Sequence, residues 1–138
     1  MAMTREKWRL LWLDSINELT SFDLQVQSWL SNQTSNPHWS YVEFRCCYFD
    51  DVFPEYEDLI KKGWVTQEEY DIIKDWHERL DKYETPNGNN HDREAILNDS
   101  DWIDIVSEGE KAKIELSRIL EGKEKAALME PVDFIGIG

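Results

Sequence analysis

Cysteine is almost missing from this chain of 138 residues: Cys46 and Cys47 are adjacent and are the only two, so no ordinary disulfide staples the fold. Zinc ligation is excluded on the same ground, because His38, His77 and His91 lie too far apart to complete a ligand set with them. Cations are scarce as well. Fifteen Lys and Arg stand against 29 Asp and Glu, a formal net charge of −14, and a direct nucleic-acid ligand needs the opposite sign. No apolar run approaches the roughly 20 residues of a membrane span, and MAMTREKWRL has neither the apolar core nor the cleavage site of a signal peptide. The expectation is a cytoplasmic protein with no membrane partner. A Gly-rich phosphate loop, a Gly-x-Ser-x-Gly elbow and the Glu-x-x-His pairs of a di-iron bundle are all absent.

Six glycines and four prolines fall mostly between segments of helical periodicity, and strict two-residue alternation is lacking. With 41% hydrophobic and 12% aromatic residues the chain has enough apolar surface to fold. These features predict one all-α domain over residues 1–138, a bundle of five to seven helices with a short extended C-terminal tail. Thr4 caps a first helix reaching Thr20, with Trp8, Leu11, Trp12, Ser15, Ile16 and Leu19 on one stripe. A second begins near Ser21 to Asp23 and carries Phe22, Val26, Trp29 and Leu30. Ser40 with Glu43 reads as a capping box for a third, whose Tyr41, Phe44, Cys47, Tyr48 and Val52 keep helical spacing up to Pro54. PEYEDLIKK stops at Gly63, and Thr66 with Glu69 opens a long fifth helix ending before Pro86. Asn90 or Asp92 caps one or two turns. Asp99 or Ser100 starts the last long helix, with Trp102, Ile105, Val106, Gly109, Lys113, Leu116, Ile119 and Leu120 on its stripe; Gly109 there suggests either a close helix contact or a kink. EPVDFIGIG reads as the extended tail.

Paired carboxylates three residues apart occur eight times, against roughly six expected by chance from the acidic content, so such pairs discriminate weakly. Glu55 with Asp58 and Glu68 with Asp71 are the pairs that a metal-dependent nucleotide hydrolase would use, and a solvated helix face explains them as well. His77 reads as a half-buried histidine hydrogen-bonded to a neighbour, His91-Asp92 as a helix start, and the two cysteines as small hydrophobes.

The distribution of charge is more informative. Residues 14–60 hold nine acidic residues and one basic residue, Arg45, a net of −8 over 47 positions, whereas residues 1–13 are net +2. The densest stretch, FDDVFPEYED, alternates carboxylates with aromatics. Asp50, Asp51, Glu55, Glu57 and Asp58 are expected to steer and dock a basic partner, with Phe53, Tyr56 and Trp64 as anchors, since aromatic anchors supply affinity and an acidic rim supplies speed. A helix-binding adaptor with a Trp-lined groove is the other non-enzymatic reading of seven tryptophans.

In its acidic and aromatic segment SYVEFRCCYFDDVFPEYED, its high tryptophan content and its lack of catalytic motifs, the chain resembles the small acidic helical immunity proteins that bacteria make against their own nuclease toxins in bacteriocin and contact-dependent inhibition systems. The likeness is one of build over the whole chain, and no diagnostic motif carries family residues over. It implies no cofactor, no catalysis, and a basic toxin nuclease domain as partner, blocked at or beside its nucleic-acid site.

Overall fold

Thr4 opens the first helix, α1 (Arg5–Leu19), by accepting a hydrogen bond from the Lys7 amide at 3.2 Å on its Oγ1. Thr20 closes it, returning its own hydroxyl to the Ile16 carbonyl at 2.7 Å. The remaining helices are α2 (Phe22–Trp29), α3 (Tyr41–Cys46), α4 (Tyr56–Lys61), α5 (Gln67–Lys82), α6 (Arg93–Leu97), α7 (Ser100–Ser117) and α8 (Gly122–Met129). This is a computed structural model that describes residues 4–29, 41–52, 55–90 and 92–130, the side chains of 27–29, 43, 47 and 51 excepted. Among the described residues there is no strand, and the all-α expectation is met. The α-helices number eight among those residues, beyond the five to seven expected, because GKEKAALM forms α8 where no apolar stripe announced a helix. The tail from position 131, Leu30, and the Ser40 half of the supposed capping box lie outside the described residues.

Local punctuation follows the sequence closely. Gly63 sits at φ +76°, and beyond it the Trp64 and Gly63 amides return to the Leu59 and Ile60 carbonyls at 2.9 and 3.1 Å, the pattern that ends a helix in a left-handed residue. Thr66 and Glu69 form the capping box at the start of α5. Asp92 caps α6 and Asp99 caps α7, through the Ala95 and Asp101 amides at 3.1 Å each.

After α3 the chain leaves the course expected of it. It does not continue as an α-helix toward Pro54; Cys47–Val52 is a π-helix, with wider i→i+5 turns. Its inner side still carries Tyr48 and Val52, as the apolar spacing required, both buried. The Val52 carbonyl at its end accepts from the Trp8 indole N–H at 2.8 Å.

Packing is organised around α1, which touches α2, α3, the π-helix, α7 and α8, while α5 lies along α7. With neighbours on so many sides α1 buries more than one stripe. Leu13 and Asn17 are inside, and Leu11, expected inside, is exposed. Among the α2 side chains described, Leu24 and Gln25 are buried and Val26 faces outward. The exchange has a chemical reason: the Gln25 side-chain oxygen accepts from the Trp102 indole at 2.9 Å, and a buried indole N–H needs such an acceptor. Ile119 is exposed because α7 ends at Ser117, two residues before it. Lys113 lies at the edge of the core, its ammonium donating to Asn17 Oδ1 at 3.2 Å and lying 3.4 Å from Ser21 Oγ, and burial lowers its pKa.

At Gly109 α5 and α7 come into close contact, as the glycine suggested. A Cβ there would lie 2.6 Å from Trp76 Nε1 and 2.5 Å from Thr20 Cγ2, so no larger residue fits without displacing a buried indole.

Arg9 is the least expected resident of the interior, at 3% exposure. Its guanidinium donates to both Glu69 oxygens at 2.9 and 2.6 Å, to both Glu124 oxygens at 3.0 and 2.7 Å, and to the Trp64 carbonyl at 2.7 Å. All five N–H groups are thereby used, and α1, α5 and α8 are tied at one point. Burial alone would raise the Glu69 carboxyl; the Arg9 and Thr66 hydrogen bonds outweigh it and hold the group below its ordinary value.

Candidate functional site

The candidate surface is built on the π-helix and α4. Because the π-helix turns Tyr48 inward, Asp50 two residues on faces solvent. The short α4 buries Tyr56 and Leu59 and leaves Glu57 and Asp58 exposed, with Glu55 exposed just before it. Among the described residues, Glu57 alone of these four carboxylates has an ion pair, to Lys61 at 3.6 Å, with both side chains more than 70% exposed. Such an i,i+4 surface pair holds little energy. Phe53 and the Asp51 side chain lie outside the described residues.

One expected anchor, Tyr56, needs correction, and a second, Trp64, is partly covered. Tyr56 is 5% exposed and belongs to the core: its ring stacks on Tyr70 with centroids 4.9 Å apart, and its hydroxyl accepts from the Trp12 indole at 2.9 Å. The aromatic in EYED faces inward because a six-residue helix has no other apolar side with which to pack. Trp64 is half-buried, tilted against Trp8 at 5.9 Å, and the Lys62 ammonium lies 4.3 Å from its ring centre. A basic group already occupies the face that an incoming cation would use.

Beneath the acidic surface runs a buried polar chain. From Trp12 it passes to the Tyr56 hydroxyl, from there to the Tyr48 hydroxyl at 2.5 Å, and on to His77 Nδ1 at 2.8 Å. Tyr48 is fully buried and His77 half-buried. Burial pushes both phenols up, so they stay protonated across the accessible pH range. Burial also lowers the His77 pKa, although Asp81 and Glu78 act against it. His77 thus has the hydrogen-bonded neighbour that its place on α5 suggested, and the chain mounts the π-helix and α4 on α5.

The carboxylates proposed for metal chemistry divide between two places. Glu68 and Asp71 line a groove of about 620 Å³ with Ile72, Asp75 and Glu115, and Glu55 and Asp58 do not line it. Among the described residues no three of His, Cys, Asp or Glu come together closely enough to hold a metal ion. On α7 the carboxylates of Asp104 and Glu108 are held by a cation that sequence spacing did not reveal: Arg79 of α5 pairs with them at 3.1 and 2.9 Å. Trp8, Trp12, Trp76 and Trp102 are all buried at 5% exposure or less, so none of them can line a groove for a partner helix. Among the described residues no helix is long and apolar enough to cross a membrane.

Arg9, Arg79 and the groove's Asp75 and Glu115 were not singled out by sequence, since each acquires its role from a partner on another helix. Against this geometry, no family model, no curated protein and no solved structure matches the chain.

Proposed function

We propose that this chain is a non-enzymatic acidic binding protein that neutralises a basic protein partner, and specifically an immunity protein that blocks a bacterial nuclease toxin. The observation that carries the reading is the set Asp50, Glu55, Glu57 and Asp58: exposed, paired only at Glu57 among the described residues, and held on a buried aromatic platform. Like charges gathered on one short segment repel each other and lower stability, so their presence is better accounted for by a cationic partner than by solubility alone. The groove of Glu68, Asp71, Asp75 and Glu115 adds a further anionic surface on α5 and α7. A nuclease has to carry cationic groups to hold phosphates, and an acidic surface competes for them.

The test uses the basic C-terminal domain of a toxin encoded beside this chain. Its association rate with the chain should fall by about ten- to a thousandfold as salt rises from about 0.01 M to about 1 M. Reversing Asp50, Asp51 and Glu55 to Lys should reduce that dependence and weaken binding. Unchanged binding after reversal removes the interface from this segment. The rival reading, a metal-dependent nucleotide hydrolase, finds no set of three metal ligands among the described residues, and stoichiometric Mg²⁺ or Mn²⁺ binding by calorimetry is what would favour it.

A further inference from the structure

The buried chain under the acidic segment has a direction, and the direction fixes a protonation state. An indole N–H can only donate, so Tyr56 accepts from Trp12. If Tyr56 then donates to Tyr48, and Tyr48 to His77 Nδ1, three protons fill three links and every buried polar atom of the chain is satisfied. This requires a neutral imidazole with its proton on Nε2. Protonation of Nδ1 puts four donors on three links: His77 then donates to Tyr48, Tyr48 turns to Tyr56, and the Tyr56 O–H is left buried without an acceptor.

We propose that His77 is a pH-sensitive latch: neutral, it holds Tyr48 and through it the π-helix and α4 in place; protonated, it releases them. The groups facing it come from each neighbouring element. The π-helix presents Tyr48 and Phe49, α4 presents the Tyr56 ring, perpendicular to the imidazole with centroids 4.9 Å apart, and α5 itself supplies Asp81 and Glu78. Arg45 of α3 lies beyond Phe49, 4.5 Å from that ring's centre, with its N–H groups on the Leu80 and Asp81 carbonyls. The two carboxylates favour the imidazolium and the buried phenols oppose it, which places the switch at the boundary between α5 and the acidic segment. The latch stands on the hydrogen-bond count whether or not the segment docks a partner; where it does, acid loosens the docking surface.

The full chain suffices for the test. Ring ¹⁵N spectra at about pH 7.5 should show His77 with Nδ1 bare and Nε2 protonated. Between about pH 7.5 and about pH 5, amide protection over Tyr48–Val52 and Tyr56–Leu59, corrected for intrinsic exchange, should fall about tenfold while that of α7 changes little. His77→Asn offers an amide oxygen near the Nδ1 position and cannot titrate, so its protection in the same segments should be flat. Tyr48→Phe, which removes the donor to Nδ1, should raise the His77 titration midpoint. An Nδ1–H tautomer, an equal pH response in His77→Asn, an equal loss in α7, or an unmoved midpoint in Tyr48→Phe would each overturn the latch.

Discussion

At the scale of single residues the interior is held by a few polar groups whose partners are far away in sequence. Arg9 is the clearest, because replacing it leaves the buried Glu69 carboxylate unpaired beside the part-exposed carboxylate of Glu124. Arg9→Met keeps much of the aliphatic volume and should destabilise the chain by about 3–5 kcal/mol in urea unfolding, the usual cost of stranding a buried charge. Adding Glu69→Gln should recover part of that loss, so that the two changes are far from additive. The pH sign is set by the depressed Glu69 carboxyl. The stability it contributes is present above the unfolded value near 4.5 and is lost as pH falls through the lower folded value, and Arg9→Met should abolish that component of acid sensitivity. None of this was legible in the sequence. Arg9 stands one residue from Trp8 in a helix whose stripe omits it, and Glu69 was visible only as half of a capping box.

At the scale of elements the sequence spoke clearly wherever a boundary depends on local chemistry. Thr4, Thr66, Asp92 and Asp99 start helices through their side-chain oxygens, and Gly63 follows the end of one at a positive φ that its missing Cβ permits. The Thr66 cap lends itself to measurement, because Glu69 answers it with one oxygen while holding Arg9 with both. Thr66→Ala should cost about 1 kcal/mol, because the Glu69 amide loses the Thr66 hydroxyl as its acceptor while the Thr66 amide still donates to Glu69 Oε1; Thr66→Ser should cost far less. Equal urea midpoints for Thr66→Ala and the parent would mean that the Thr66 hydroxyl adds nothing to the start of α5. Elements whose conformation is set by their surroundings were not legible. CYFDDV has α-helical spacing, and nothing in its composition announces a π-helix; the wider turn is tied to the Trp8–Val52 hydrogen bond and to the seating of Tyr48 between Tyr56 and His77. Likewise α8 has a weak apolar face, and Leu128 is its only buried residue. It is a helix because α1 lies beside it and Glu124 reaches Arg9.

Charge is the property of the whole molecule that governs its behaviour, and it was the one read most directly from composition. A net charge of −14 on one small domain means that folding concentrates repulsion. Glu18 shows the strain locally: burial and the neighbouring Asp14 carboxylate push its pKa up to about 7. A carboxylate with a raised folded value binds its proton more tightly in the native state, so its contribution is fully present below about 4.5 and is lost as pH climbs to about 7. His77 runs in the opposite sense, because its lowered folded value favours the native state above its ordinary 6.5 and loses that stability as pH falls. The two therefore oppose one another in mildly acidic solution, and only substitution separates them. Salt adds the decisive comparison. From about 0.01 M to about 1 M it shortens the screening length from about 30 Å to about 3 Å, which weakens repulsion across the surface while the buried Arg9 pairs are little affected. At about pH 8 the urea midpoint of the parent should accordingly rise with salt. Glu18→Gln should be the more stable protein at low salt, with the gap narrowing as salt is added and vanishing below about pH 4.5. A midpoint that falls with salt would show that surface ion pairs hold the fold, and the exposed carboxylates of the π-helix and α4 would lose the energetic asymmetry that makes them a docking surface.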